Sequence, residues 1–198
     1  MHDGLVHSCN AYFAQLALGL GPEPLLETAD MLGISVTSPS SSSSSGPIEQ
    51  LRATLPQAGY GQGEVVVTPL RMARVAAALA SDGMLREPRL EASVQAKQKN
   101  LLPPDGASLL ARYMRDAVLS GTGRSLAHHP WRIAGKTGTA EVGQAASHSW
   151  FVGFAPYGEA TRRVAFAVII ENAGYGSLAA APVAGDIVSA AAAVGLVK

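Results

Sequence analysis

The sequence predicts a mixed α/β domain in which a sheet is covered by helices, and three observations carry that prediction. Up to Leu119, apolar residues recur at the three-and-four spacing of helices. Between Arg132 and Ile170 the pattern changes to that of strands. An alanine-rich helical segment then closes the chain. Helices, strands and a last helix in that order fit a mixed domain. A length of 198 residues with 47% hydrophobic content is enough for a real core.

The first helix is expected over residues 10–20, where Phe13, Leu16, Ala17 and Leu20 share a face and Gly21-Pro22 ends the run. A second is expected over 24–32, with Gly33 as its C-terminal cap. Residues 38–46 are nearly all serine, with Pro39 among them; such a run buries no apolar surface and reads as a flexible surface loop. Gly59-Tyr60-Gly61-Gln62-Gly63 is a turn cluster, and Val65-Val66-Val67 is a short extended piece. Thr68-Pro69 starts a helix, because the hydroxyl can cap a free N–H and proline suits the first turn. That helix should run to about Ser81 and end at Asp82-Gly83. Over 105–119, Leu109, Leu110, Tyr113, Met114, Ala117 and Val118 form a core-facing stripe. Strands are expected over 132–141, 148–155 and 163–170, with Gly158 in the turn between the last two. Every position from Val164 to Ile170 is apolar, so that strand should lie in a sheet with helices on both sides. The helix over 178–194 is the natural cover for one face.

Composition removes several classes of function. Fifteen basic and 15 acidic residues balance, and no run of Lys or Arg suggests a nucleic-acid groove. The single cysteine, Cys9, excludes an intrachain disulfide and a cysteine-rich zinc site. No His-Glu-x-x-His spacing occurs, and His128-His129 reads as a surface turn before Pro130. No metal or other cofactor is called for. The opening residues lack the basic and apolar regions of a signal peptide. The apolar stretch 178–197 holds Asp186 and Pro182 and is mostly alanine; a central Asp costs ~3 kcal/mol on insertion, so a core helix is expected there.

Two short motifs carry chemistry. Lys136-Thr137-Gly138-Thr139-Ala140 sets a cation beside hydroxyls and small residues, and Ser8-Cys9-Asn10 sets a hydroxyl and a carboxamide one residue apart. They match two of the three signatures of serine acyl-transfer enzymes that handle penicillin. The third, S-x-x-K, carries the nucleophile and is not in this sequence: Val94, Ala96, Ile133 and Gly195 stand three residues before the four lysines. Taken singly, each residue has a plainer reading. Ser8 and Asn10 could cap a helix, Lys136 could be a solvated strand lysine, and Gln62 is structural. Cys9 is expected to be a small buried residue, and Trp150 and Phe151 to be core.

Four segments in one order lift the joint arrangement above those readings. They are Ser8-Cys9-Asn10 with Tyr12-Phe13, Gly61-Gln62-Gly63 with Thr68-Pro69-Leu70, Ala134 through Glu141, and Trp150-Phe151-Val152-Gly153-Phe154-Ala155-Pro156. Together they closely resemble the transpeptidase domain of class B penicillin-binding proteins, over nearly the whole of residues 1–198. The resemblance implies an α/β fold of the serine β-lactamase/D,D-peptidase type, an antiparallel sheet flanked by helices. It also implies a peptidoglycan D,D-transpeptidase that cross-links cell wall by serine acyl transfer.

By the same resemblance, Ser8 passes a proton toward the leaving group, and Lys136 raises the local positive potential and attracts the substrate carboxylate. Thr137 and Thr139 offer hydroxyls to that carboxylate, and the Thr139 N–H is an oxyanion donor. Asn10 holds the amide of the donor peptide or of a β-lactam, and Gly138 stays small so that substrate can lie along the strand. The implied partners are peptidoglycan stem peptides, β-lactam antibiotics and, in the full-length protein, a membrane glycosyltransferase. The implied location is the outer face of the cell membrane. Relative to the family, this sequence lacks the two strands and the nucleophile helix that precede S-x-N, and it shows no membrane anchor. It is therefore expected to be a partial domain, inactive by itself, with the strand around Phe166 left unpaired on one edge. A β-lactamase or D,D-carboxypeptidase is the alternative among hydrolases, though Gly-Gln-Gly and Thr-Pro-Leu favour the transpeptidase. A non-catalytic β-lactam sensor or partner domain is the alternative outside enzymes.

Overall fold

The computed structural model describes residues 1–37 and 46–198. The serine-rich loop expected at 38–46 lies outside the described residues except for Gly46, which caps the helix that follows. Two short helices and a turn open the chain: α1 (His2–Val6), then Ser8 in a turn, then α2 (Asn10–Leu20). The α2 boundaries are those the apolar spacing predicts. Next come α3 (Pro22–Leu32), ended by Gly33 in a left-handed conformation, and α4 (Pro47–Gly59).

The sequence reading places no helix at α4. Its buried stripe is only Leu51, Leu55 and Ala58, and Pro56 sits inside it. Those three residues nevertheless close a satellite core with Ala17, Ala29 and Val36, so α2, α3 and α4 form a small helical lobe. The expected extended piece at Val65–Val67 is reduced to one antiparallel bridge between Val66 and Ser35.

Helix α5 (Pro69–Leu79) starts as its sequence requires: the Thr68 hydroxyl accepts from the Arg71 N–H at 3.3 Å, and Pro69 fills the first turn. A hairpin of β1 (Met84–Arg86) and β2 (Gln98–Asn100) follows, which the three-residue strands and the fully exposed β2 hide from sequence reading. Helix α6 (Pro104–Leu119) buries Ala107, Ala111, Met114, Ala117 and Val118, while Leu109, Leu110 and Tyr113 are only partly buried. Alanine supplies three of these five buried positions.

The main sheet has β3 (Ala134–Val142), β4 (Ala145–Ala155) and β5 (Val164–Ile170), in that order and antiparallel throughout. Its register sets Ala134 opposite Phe154, Lys136 opposite Val152 and Phe151 opposite Val168. Helix α7 (Ala180–Ala193) lies on one face, where Ala180, Ala181, Ala184 and Val188 pack on Ile133, Phe151, Phe166 and Val168. On the other face Ala111 and Met114 of α6 pack on Ala134 and Phe154, with Ala165 of β5 at their rim. The all-apolar β5 is thus covered on both sides, as expected. Among the described residues it pairs with β4 alone.

Phe151 is fully buried, whereas Trp150, pointing to the opposite face, is only partly so. Both histidines of the 128–129 pair lie in the expected turn. The His129 Nδ1 accepts from the Trp131 N–H at 3.3 Å, which leaves Nε2 to donate to Gly185 or Ser189 at 3.1 Å and pin the turn to α7. No group of three or more His, Cys, Asp or Glu side chains among the described residues is placed to hold a metal ion. No helix among them is long and apolar enough to cross a membrane.

Candidate active site

The two motifs, far apart in sequence, meet in space. Lys136 leaves β3 on the α6 side, and its ammonium donates to the Ser8 Oγ, 128 positions away. It donates also to the Thr137 carbonyl at 2.9 Å and lies 3.3 Å from the hydroxyls of Thr122 and Thr137. The Thr137 and Thr122 hydroxyls are 2.5 Å apart. The ammonium is therefore ringed by neutral oxygens, and no carboxylate pairs with it among the described residues. Burial pushes its pKa down from 10.5 to about 8.

Ser8 is held by its backbone. It sits at φ 55°, a left-handed conformation unusual for serine, in the turn joining α1 to α2. The turn is fixed from below, where the Cys9 N–H donates to the Gly4 carbonyl at 2.8 Å. Helix α1 is itself tied to α6 by His2, whose Nε2 meets Asp116 at 3.0 Å and whose pKa is raised chiefly by its hydrogen bond to Asp3, then by that to Asp116. Strain of about 1–3 kcal/mol at such a residue persists only where its surroundings hold it. Neither Ser8 nor Asn10 caps α2 through its side chain; the cap position is Cys9. Cys9 is exposed, not buried as its residue type suggests.

Asn10 begins α2 with its side chain exposed and hydrogen-bonded to nothing among the described residues. Thr139 is exposed on β3. The Gln62 Nε2 donates to its carbonyl at 3.0 Å. A carbonyl so engaged faces away from β4, and in an antiparallel strand the N–H of the same residue points the same way. The Thr137 carbonyl, two residues earlier, likewise turns from β4 to meet Lys136. The outer edge of β3 therefore presents the backbone groups of residues 137 and 139, with no further strand paired to it among the described residues. Gly138, between them, pairs with Trp150; a Cβ there would come within 3.1 Å of the Trp150 Cβ.

The structure thus brings Ser8, Lys136 and Thr137 together directly and sets Thr139 further along the same edge. The sequence reading misses Thr122, whose Gly-Thr-Gly setting reads as a simple chain break before the strands. It also reads Gln62 as structural only, although Gly61 and Gly63, at φ 82° and 72°, turn its side chain onto β3. Two concavities of about 590 and 600 Å³ lie elsewhere, around the β1–β2 hairpin. The site is an open strand edge beside a part-buried cation, not an enclosed hole.

Known proteins resemble this chain over nearly its whole length. The profile of the penicillin-binding protein transpeptidase domain matches residues 1–189. A peptidoglycan D,D-transpeptidase, PbpA of Mycolicibacterium smegmatis, is 30% identical over 96% of this chain and 43% of its own length. Among solved structures, the D,D-transpeptidase domain of a peptidoglycan glycosyltransferase from Eggerthella lenta superposes with a TM-score of 0.79 at 26% identity, covering 98% of this chain and 54% of that one. Penicillin-binding protein A of M. tuberculosis, solved as an imipenem acyl-enzyme complex, gives 0.76 at 30% identity, covering 96% and 46%. The chain spans less than half the length of the mycobacterial PbpA it matches. With its family profile and its relatives in agreement, the chain belongs to the penicillin-binding protein transpeptidase domain family.

Proposed function

We propose that these residues form two walls of the cleft of a peptidoglycan D,D-transpeptidase, which joins stem peptides by serine acyl transfer. The observation that carries the reading is the part-buried contact of Lys136 with Ser8 beside a strand edge left unpaired among the described residues. A peptide ending in D-alanyl-D-alanine adds to β3 as a further strand, its backbone meeting the groups of Thr137 and Thr139. The Lys136 charge and the Thr137 and Thr139 hydroxyls draw its terminal carboxylate, and Asn10 takes a side-chain amide. When a serine attacks the penultimate carbonyl, the Thr139 N–H stabilises the oxyanion. The peptide C–N bond then breaks, and Ser8 delivers the proton that the departing D-alanine amine needs. A β-lactam enters the same cleft and stops at the acyl stage. Supporting the β-lactam part, the M. tuberculosis relative was solved as an imipenem acyl-enzyme.

The attacking serine is not among these 198 residues, since no serine stands three before a lysine. Losing one oxyanion donor typically slows such a reaction by ~10²–10³, and losing base help by another ~10²–10⁴. We therefore infer that these residues alone do not acylate, and that the catalytic protein works at the outer face of the cell membrane, alongside a glycosyltransferase. A chimaera carrying the S-x-x-K segment of the mycobacterial relative ahead of Met1 tests this. It should take up a fluorescent penicillin covalently, and the 198 residues by themselves should not. Labelling of the 198 residues alone would overturn the division of labour.

A further inference from the structure

We propose that Thr122 is a positioning residue for Lys136: its hydroxyl, at the junction of three elements, holds the ammonium against Ser8 and orders the Thr137 hydroxyl beside it. The inference rests on the reading of Lys136 as the cation of the cleft. Thr122 contacts two residues of that site at once, Lys136 at 3.3 Å and Thr137 at 2.5 Å. Its backbone is fixed independently of them, the Thr122 N–H donating to the Val6 carbonyl at 3.3 Å. Gly121 makes that approach possible, since a Cβ there would lie 2.2 Å from the same carbonyl. The next residue locks the other side, the Gly123 N–H donating to the Ala117 carbonyl at 2.9 Å.

The end of α6 is thereby joined to the end of α1, two residues before Ser8, and Thr122 projects from that joint onto β3. Three parts of the chain that must keep register are tied through one residue, by its N–H to the helix before the Ser8 turn, by its place at the α6 end, and by its hydroxyl to the Lys136 strand. The ammonium of a long lysine side chain has many rotamers. It has no carboxylate among the described residues to fix it, only the hydroxyls of Ser8, Thr122 and Thr137 and the Thr137 carbonyl. Removing one acceptor from that set frees the chain to leave Ser8 and makes the charged form harder to hold. A scaffold threonine, by contrast, would act on stability alone.

The test is NMR titration of the lysine side-chain signals, of which the chain has four, with Lys97, Lys99 and Lys198 as internal references. Thr122→Val should move the Lys136 midpoint downward by about half a unit or more, while Thr122→Ser should return it. In the chimaera bearing an S-x-x-K segment, Thr122→Val should slow penicillin acylation about tenfold and Thr122→Ser by less than twofold. Should the valine variant fail to fold, Thr122→Ala carries the same readings. A Lys136 midpoint unmoved in the folded variant overturns the inference. Full acylation in Lys136→Met would overturn the functional reading instead, and the titration result would stand apart from it.

Discussion

Arg74 and Lys136 are both cations taken out of water by this fold, and their surroundings differ in kind. Arg74 on α5 is 5% exposed; its guanidinium donates to the Glu87 carboxylate and, at 3.3 Å, to the Leu32 carbonyl. Arg71 reaches the same carboxylate at 3.8 Å. The charge is neutralised where it lies, and the result joins α3, α5 and the segment after β1. Lys136 has hydroxyls and a carbonyl but, among the described residues, no anion. A buried cation without a counter-ion costs stability. Its uncancelled field is what an incoming carboxylate would meet, and such perturbed groups cluster at functional sites. On the proposed function, the difference separates a cation that builds the protein from one that serves a ligand.

Lys136→Met should break the comparison most sharply, because it acts oppositely on activity and stability. In the chimaera with a nucleophile segment, penicillin acylation should fall by about 10³, within the range for lost proton-transfer and electrostatic help. Stability should rise. The folded state holds Lys136 at about 8, against 10.5 in the unfolded chain. Between those values the unfolded chain binds more protons, so stability climbs with pH across that window, and the penalty is fully present below it. The shift corresponds to about 3 kcal/mol; loss of the ammonium's hydrogen bonds reduces the gain on substitution to about 1–2 kcal/mol at pH 7. Denaturant melts from pH 7 to 10.5 should show the rise in the parent chain and a flatter profile in the variant. A destabilised variant at pH 7 would show that Lys136 is as well matched as Arg74.

Glu87→Ala should have the reverse signature. It strands the Arg74 guanidinium, whose Nε already lacks a partner among the described residues. The loss should be about 2–3 kcal/mol, below the full value for a buried pair because the Glu87 side chain is 44% exposed. The Lys136 titration should not move. A shift in it would mean that the hairpin and the β3 edge are coupled, contrary to the separation drawn above.

How much of this could be read from the sequence depends on how far apart the interacting atoms lie in the chain. The three main strands, α2, α3, α5, α6 and α7 follow from local period and capping residues, and the family from four short motifs. The Lys136–Ser8 contact was legible only through those motifs, since no local rule joins residues 128 positions apart. Arg74 was invisible because Glu87 lies beyond a turn and a strand, on an exposed segment with no pattern of its own. Thr122 was hidden because a hydroxyl between two glycines looks like a loop, and its role appears only when Gly121 is seen against Val6. Helix α4 escapes sequence reading because its proline and short stripe weaken the helical signal.

Gln62→Ala probes the smallest effect, at the open side of the same strand. The Gln62 amide donates to the Thr139 carbonyl from the edge that a substrate strand would use. A peptide adding to β3 requires that carbonyl for its own N–H, so Gln62 must yield it. An exposed hydrogen bond of this kind contributes about 0.5–1 kcal/mol. Removing it should speed penicillin acylation of the chimaera by about two- to fivefold and lower stability by less than about 1 kcal/mol. Slower acylation would mean that Gln62 acts with the substrate, keeping β3 in register rather than occupying its edge. The direction of the change therefore decides whether the Gly-Gln-Gly turn guards the cleft or helps to form it.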